Sequence, residues 1–255
     1  MGKIISFSNQ KGGVGKTTTA INLSAYVAMA GRKVLLVDFD PQGNTTSGYG
    51  IEKNQLTYSC YEFLMGECTA EQAIQPTMVE NLSILPCNID LAAAEVDLVN
   101  IPQRESTLKR AINSIKDQFD YIFIDCPPSL GLITLNALVA SDSVIIPIQS
   151  EFFALEGLSQ LMNTIKIVKQ RLNSKLSISG VVLTMYDART TMSKQVTKEI
   201  YTFFGDKIYT VPVPRNIRLV ESPSYGIPIV LHAPKSSGAA AYGALAKQFL
   251  EREEK

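Results

Sequence analysis

The stretch Asn9-Gln10-Lys11-Gly12-Gly13-Val14-Gly15-Lys16-Thr17-Thr18 carries the side chains and the backbone freedom needed to hold phosphate. Glycines at 12, 13 and 15 put no Cβ in the way, so successive backbone N–H groups can turn inward around anionic oxygens. Lys16 is spaced to reach the β- and γ-phosphates of a nucleotide, and the Thr17 hydroxyl to ligate Mg²⁺. An apolar run, Ile4-Ile5-Ser6-Phe7, precedes the stretch, and a helical apolar spacing, Ala20, Leu23, Val27 and Ala30, follows it up to Gly31. Strand, glycine-rich turn and helix together read as a nucleoside-triphosphate site, with the helix N-terminus adding its N–H groups and positive dipole end. One position departs from the general pattern G-x-x-x-x-G-K-[ST]. Gln10 stands where the first glycine belongs, and Lys11 follows it as a second cation.

Carboxylates that could manage a metal and a water lie at two later points. The run Lys33-Val34-Leu35-Leu36-Val37-Asp38 continues as Phe39-Asp40-Pro41-Gln42-Gly43-Asn44. Acids at the carboxyl end of a strand, before a Pro/Gly loop, lie where open α/β sheets bind ligands. The run Asp120-Tyr121-Ile122-Phe123-Ile124-Asp125 ends the same way and has the Walker B form, in which the aspartate sits near Mg²⁺ through a bound water. Alone, an apolar strand ending in Asp is common; paired with the glycine loop it is specific. The turn Pro127-Pro128-Ser129-Leu130-Gly131 then reads as the segment beside the γ-phosphate that changes between nucleotide states.

These groups need a scaffold that brings several strand ends together. Further buried strands are predicted at Leu82-Ser83-Ile84-Leu85, at residues 143–148 and at residues 178–184. Helices are predicted over about 90–98, 104–117, 155–172, 190–204 and 239–251, with residues 211–216 an irregular loop. Residues 45–80 are mixed and show no motif. Strands alternating with helices predict an α/β fold, a mainly parallel twisted sheet with helices on both faces. No linker or repeat divides the chain, so residues 1–255 are read as a single domain.

Composition narrows the function classes. Lys+Arg and Asp+Glu both number 24, so no global charge announces nucleic acid or membrane. Between Tyr186 and Lys235 seven basic residues face four acidic ones, a local excess of three, which by itself is usually solvated surface. Four cysteines, at 60, 68, 87 and 126, form no C-x-x-C and read as reduced thiols rather than a zinc, iron–sulfur or disulfide framework. The lack of a signal peptide or membrane-spanning run predicts a cytoplasmic protein. Met1-Gly2-Lys3-Ile4-Ile5-Ser6 formally matches a myristoylation pattern, discounted because those residues must pair as the first strand.

Residues 11–18 resemble the deviant Walker A motif of the ParA/MinD class of ATPases. With residues 37–44, residues 124–129 and Val213-Pro214-Arg215-Asn216 following in order, the chain from about residue 3 to about 250 is similar to the Soj-type chromosomal ParA family, the ATPase partner of ParB in bacterial DNA segregation. The resemblance implies a P-loop NTPase-type fold, ATP and Mg²⁺ as cofactors, and slow hydrolysis stimulated by a partner. It implies that Lys16 and the backbone of Gly12, Gly13, Val14, Gly15, Thr17 and Thr18 hold the phosphates, and that Thr17 ligates Mg²⁺ with Asp125 supporting the shell through water. Asp40 would orient the attacking water, and Pro214 and Asn216 would contact the adenine. Lys11 would act across the interface of an ATP-bound homodimer, where a cation from a partner can add roughly 10³–10⁵ in rate. A second cis lysine neutralising phosphate charge is the other reading. Asp38 is open between chemistry and support of its loop. Arg189 and Arg218 would contact DNA phosphates without sequence preference, placing the protein on the nucleoid with a ParB-type partner.

Two other ATPase types share the motif class. A MinD-like membrane-cycling ATPase needs a C-terminal amphipathic helix with a basic polar face. Tyr242, Leu245, Ala246 and Phe249 do form an apolar face, but Glu251-Arg252-Glu253-Glu254-Lys255 is too acidic for anionic lipid, and core packing is expected instead. A nitrogenase iron-protein type needs a cysteine pair across the interface that this chain lacks. An ATP-switched regulator of replication or transcription factors is not separable from the segregation reading by sequence.

Overall fold

The computed structural model describes residues 2–150 and 154–254. Seven strands, β1 (Lys3–Phe7), β2 (Val34–Asp38), β3 (Gln75–Pro76), β4 (Leu82–Leu85), β5 (Tyr121–Asp125), β6 (Ser143–Gln149) and β7 (Ser177–Thr184), form one sheet in the order β3-β4-β2-β5-β1-β6-β7. Every neighbouring pair is parallel except β3 with β4. The chain leaves β1 for β2 on the far side of β5 and later adds β6 and β7 on the opposite flank. The carboxyl end of β1 is therefore the point where the strand order reverses, and there open α/β sheets form a binding crevice.

β1, apart from Lys3, and all of β2, β5 and β6 are buried, as strands covered by helices on both faces must be. Alternation sorts their side chains. Ile5, Phe7, Leu36 and Phe123 pack with Ala20 and Leu23 of the helix Lys16–Met29 and with Tyr242 and Phe249 of the helix Ser237–Glu253. Ile4, Leu35, Val37 and Ile124 pack with Leu108 and Ile112 of Thr107–Asn113 and with Ile133 and Ala137 of Leu132–Ala140. A third cluster joins β6 and β7 to the helices Ala154–Arg171 and Thr191–Phe204 through Leu161, Val168 and Ile200. Phe249 closes on Tyr121 and Phe123 at ring-centroid distances of 5.2 and 5.5 Å. The apolar face of the last helix is thus core packing. Among the described residues no helix is long and apolar enough to cross a membrane.

Long periodic helices match their predicted spans closely; short ones do not. Residues 90–98 form 3-10 turns, Ile89–Ala93 and Leu98–Asn100, around a single α-turn, Ala94–Asp97, because only Leu91, Ala94 and Leu98 anchor the segment to the core. Residues 104–117 are helical over Thr107–Asn113, with 3-10 turns at Arg104–Ser106 and Lys116–Gln118. The helices Leu132–Ala140, Ile217–Glu221 and Ile229–His232 had no prediction, and neither did β3, an edge pair containing Pro76.

Candidate nucleotide site

β1 ends at Phe7, and the chain turns through Gly13 and Gly15, whose φ angles of 72° and 84° lie in the left-handed region that glycine alone enters without strain. Gly15 caps the helix Lys16–Met29 and offers no side chain to its first turn, which leaves those N–H groups aimed at an anion. Neighbouring strands brace the loop. Asn9 Nδ2 donates to the Pro147 carbonyl at 2.7 Å, and Asn9 Oδ1 accepts the Lys11 N–H at 3.0 Å. Thr184 Oγ1, at the end of β7, donates to the Val14 carbonyl at 2.7 Å. Lys16 Nζ lies 3.4 Å from the Lys11 carbonyl oxygen. Burial pushes the Lys16 ammonium down from its ordinary value, while the charges of Asp125, Cys126 and Asp40 pull it back. A buried cation in that balance is stabilised by an arriving phosphate.

Asp125 sits beneath the loop with no exposure. Its Oδ2 accepts the Thr45 hydroxyl at 2.7 Å, and Oδ1 has no partner among the described residues. Burial raises its carboxyl to about 6, against the pull of the Thr45 hydrogen bond, the nearby Thr17 hydroxyl and the charge of Lys16. A buried, unpartnered carboxylate oxygen beside the Thr17 hydroxyl suits a hydrated Mg²⁺. Among the described residues no group of three or more His, Cys, Asp or Glu is placed to hold a metal, so phosphate oxygens and water would complete the shell, as Mg²⁺ prefers.

Register pairs Asp38 of β2 with Asp125 of β5. Asp38 Oδ2 accepts both the Thr46 hydroxyl at 2.6 Å and the Thr46 N–H at 2.8 Å, and Oδ1 accepts the Asp40 N–H at 3.3 Å. Burial, then the Asp125 charge, push its carboxyl up to about 8. Asp38 therefore braces its loop. Asp40, two residues on, turns into the cavity above, its Oδ1 also accepting the Gln42 N–H at 3.0 Å.

That cavity, about 530 Å³, takes its walls from the glycine loop, from Asp40 and Pro128, and from Val213, Pro214 and Asn216. The loop over 211–216 is laced to the end of β7 by Val213 N–H to Leu183 O at 2.8 Å and Tyr186 N–H to Val213 O at 3.0 Å. Of the predicted residues, the cavity joins Gly12, Gly13, Gly15, Lys16, Thr17, Thr18, Asp40, Pro214 and Asn216. Val14 is buried in the core, and Lys11, half-buried, stands outside the wall. The Asn216 side chain is already engaged: Oδ1 accepts the Arg218 N–H and Nδ2 donates to Ser237 Oγ, each at 2.8 Å. Its second N–H and second lone pair are left for an adenine contact.

Arg189 and Arg218 lie outside the cavity, and each holds an acid close in sequence. Arg189, 89% exposed, donates to Asp187 through Nε at 2.9 Å and Nη2 at 2.7 Å, which holds the Asp187 carboxyl at about 2. Arg218, 56% exposed, donates to Glu221 at 2.9 Å. Residues without a prediction also matter: Thr45, Thr46 and Thr184 orient the carboxylates and the loop, and exposed Arg215 lines the cavity. A hydroxyl at a strand's carboxyl end was a signal for Thr184. Nothing in the sequence marked Thr45 or Thr46.

The model of the family described as "AAA domain" matches residues 2–178. The chain is 55% identical to the sporulation initiation inhibitor protein Soj of Bacillus subtilis, covering 97% of this chain and 98% of that one. It is 49% identical to the chromosome-partitioning ATPase Soj of Treponema pallidum, covering 99% of each. Among solved structures it is similar to cobyrinic acid a,c-diamide synthase from Mycobacterium smegmatis with bound ADP and magnesium, with a TM-score of 0.89 and 38% identity over 100% of this chain and 96% of that one. With this glycine loop, this pair of strand-end aspartates and full-length identity of that order, the chain belongs to the Soj/ParA family of chromosome-partitioning ATPases.

Proposed function

We propose that the chain acts as one ATPase domain that binds Mg²⁺–ATP, dimerises in that state, binds DNA without sequence preference and works with a ParB-type partner on the nucleoid in the cytoplasm. The observation that carries this is the convergence of Lys16, Thr17 and Asp40 on one cavity that also reaches Pro214 and Asn216, with the orphaned oxygen of Asp125 buried beside Lys16 and Thr17. Lys16 and the loop N–H groups hold phosphate oxygens. Thr17 and, through water, Asp125 hold Mg²⁺, which would neutralise charge on the phosphates during transfer. Asp40, with one oxygen tied to Gln42, orients the attacking water with the other. Lys11 lies at the loop entrance outside the wall, a placement that suits service to a second subunit. Arg189 and Arg218 supply phosphate contacts once two copies double the surface.

Sedimentation of the purified protein with ATP or ADP, with and without duplex DNA, tests this. ATP alone should give a dimer, and only ATP should give co-sedimentation with DNA of any sequence. DNA binding equal in ADP and ATP defeats the reading. The name of the Bacillus subtilis relative, an inhibitor of sporulation initiation, favours a second role as an ATP-switched regulator.

A further inference from the structure

The helix Leu132–Ala140 follows the Pro127-Pro128 turn and is capped by Gly131, which has no side chain to take its first N–H groups. A serine, threonine or aspartate usually serves there. Here a carboxylate from a distant segment does so. Glu95 Oε2 accepts the Leu132 N–H at 2.8 Å, and Oε1 accepts the Ile133 N–H at 3.2 Å. The Gly131 backbone, at φ −80°, would suit any residue. The crowding comes from Glu95: a Cβ at 131 would stand 2.3 Å from Glu95 Oε1 and 2.8 Å from its Cδ, so a side chain there has to displace the capping carboxylate.

Glu95 is itself held in place. Ala94 and Leu98 bury its short helix in the same core as Ile133 and Ala137, and Asp97 accepts the Tyr61 hydroxyl at 2.9 Å. The Pro127-Pro128 turn therefore has an anchor at each end. The Cys126 N–H bonds the Phe7 carbonyl at 3.2 Å, tying one end to the strand that carries the glycine loop. Glu95 ties the other. Between them Pro128 forms part of the nucleotide cavity wall, which Glu95 does not reach.

We propose that Glu95 is a positioning residue for ATP hydrolysis: by capping the helix Leu132–Ala140 it sets where Pro128 stands against the nucleotide. This rests on the ATPase reading above. Charge-assisted hydrogen bonds hold a helix start more firmly than neutral ones. A shift of about 1 Å near reacting groups can lower a rate by about 10²-fold.

The test measures steady-state hydrolysis and affinity for a non-hydrolysable ATP analogue in wild type, Glu95→Ala, Glu95→Gln, Gly131→Ala and the Glu95→Ala/Gly131→Ala double variant. Turnover per analogue-binding site should fall about tenfold or more in Glu95→Ala, with affinity for the analogue unchanged. Glu95→Gln, with one acceptor oxygen for two N–H groups, should fall between. Gly131→Ala should lower turnover by displacing Glu95, and the double variant should fall no further than Glu95→Ala. A merely structural Glu95 would lower the melting temperature and leave turnover per binding site intact. That result, or independent multiplying effects at 95 and 131, overturns the proposal. If Glu95→Ala does not fold, Glu95→Gln and Gly131→Ala decide by the same readout. A wild type that hydrolyses nothing defeats the ATPase reading, and this proposal with it.

Discussion

Lys16 and Arg189 are both cations assigned to phosphate, yet their surroundings are opposite. Lys16 is buried beside Asp125 and Asp40, in a loop braced from two other strands, and burial lowers its affinity for its own proton. Arg189 is 89% exposed and already holds Asp187, as Arg218 holds Glu221. The nucleotide end is pre-organised within one chain, so a single substitution there should change chemistry. The arginine surface offers charges that are screened and locally paired, so its strength must come from number. The proposed ATP-driven dimer would supply number by presenting the surface twice.

The largest expected effect breaks the buried side of that contrast. Lys16→Ala should reduce ATP hydrolysis to background and weaken nucleotide affinity by roughly ten- to a hundredfold, with ATP-dependent dimerisation lost. Calorimetric titration with a non-hydrolysable analogue measures it, and unchanged affinity would remove Lys16 from its role. Asp40→Ala should separate chemistry from binding, with turnover down by about 10²–10⁴ while the variant still binds ATP and stays dimeric. A monomer in ATP by size exclusion would make Asp40 structural.

Burial at the nucleotide end should also show in pH dependence. Asp38 is raised from 3.8 to about 8, so between those values the folded chain keeps a proton that the unfolded chain has released. Stability of the nucleotide-free protein should therefore fall as pH rises from about 4 to about 8, by up to ~1.4 kcal/mol per pH unit from this group. For a chain of this size that is a melting temperature lower by about 2–4 °C per unit. Asp38→Asn keeps an acceptor for Thr46 but cannot ionise, and should flatten the curve between pH 6 and 8. Parallel melting curves for the two proteins would count against a buried, protonated Asp38.

The exposed side predicts smaller, additive effects. Replacing Arg189 and Arg218 by Ala removes four cations from a dimer, each worth about 0.9 in the logarithmic salt slope on duplex DNA. ATP binding and dimerisation should persist while affinity for DNA of any sequence falls and the slope becomes shallower. Asp187→Asn and Glu221→Gln should do the reverse, raising DNA affinity a few-fold at low salt and not at high salt. An arginine variant that binds DNA as well as wild type would end the assignment of this surface.

Local sequence determined whatever depends on neighbours along the chain. Glycines at 13 and 15 permit the left-handed turn, and the apolar runs ending in Asp38 and Asp125 could be read as buried strands because covered strands have no polar face. Helices long enough to show their period, such as Ala154–Arg171 and Ser237–Glu253, were legible for the same reason. Strand order was not, since it depends on which crossovers pack, and with it went the register that sets Asp38 against Asp125. The short helix Leu132–Ala140 was hidden because its cap comes from Glu95, 37 residues before its first turn. Thr45, Thr46 and Thr184 carry no motif. They became part of the site only when folding buried two carboxylates and a loop carbonyl that needed hydroxyl donors, and only the tertiary structure decides which polar groups are left in that position.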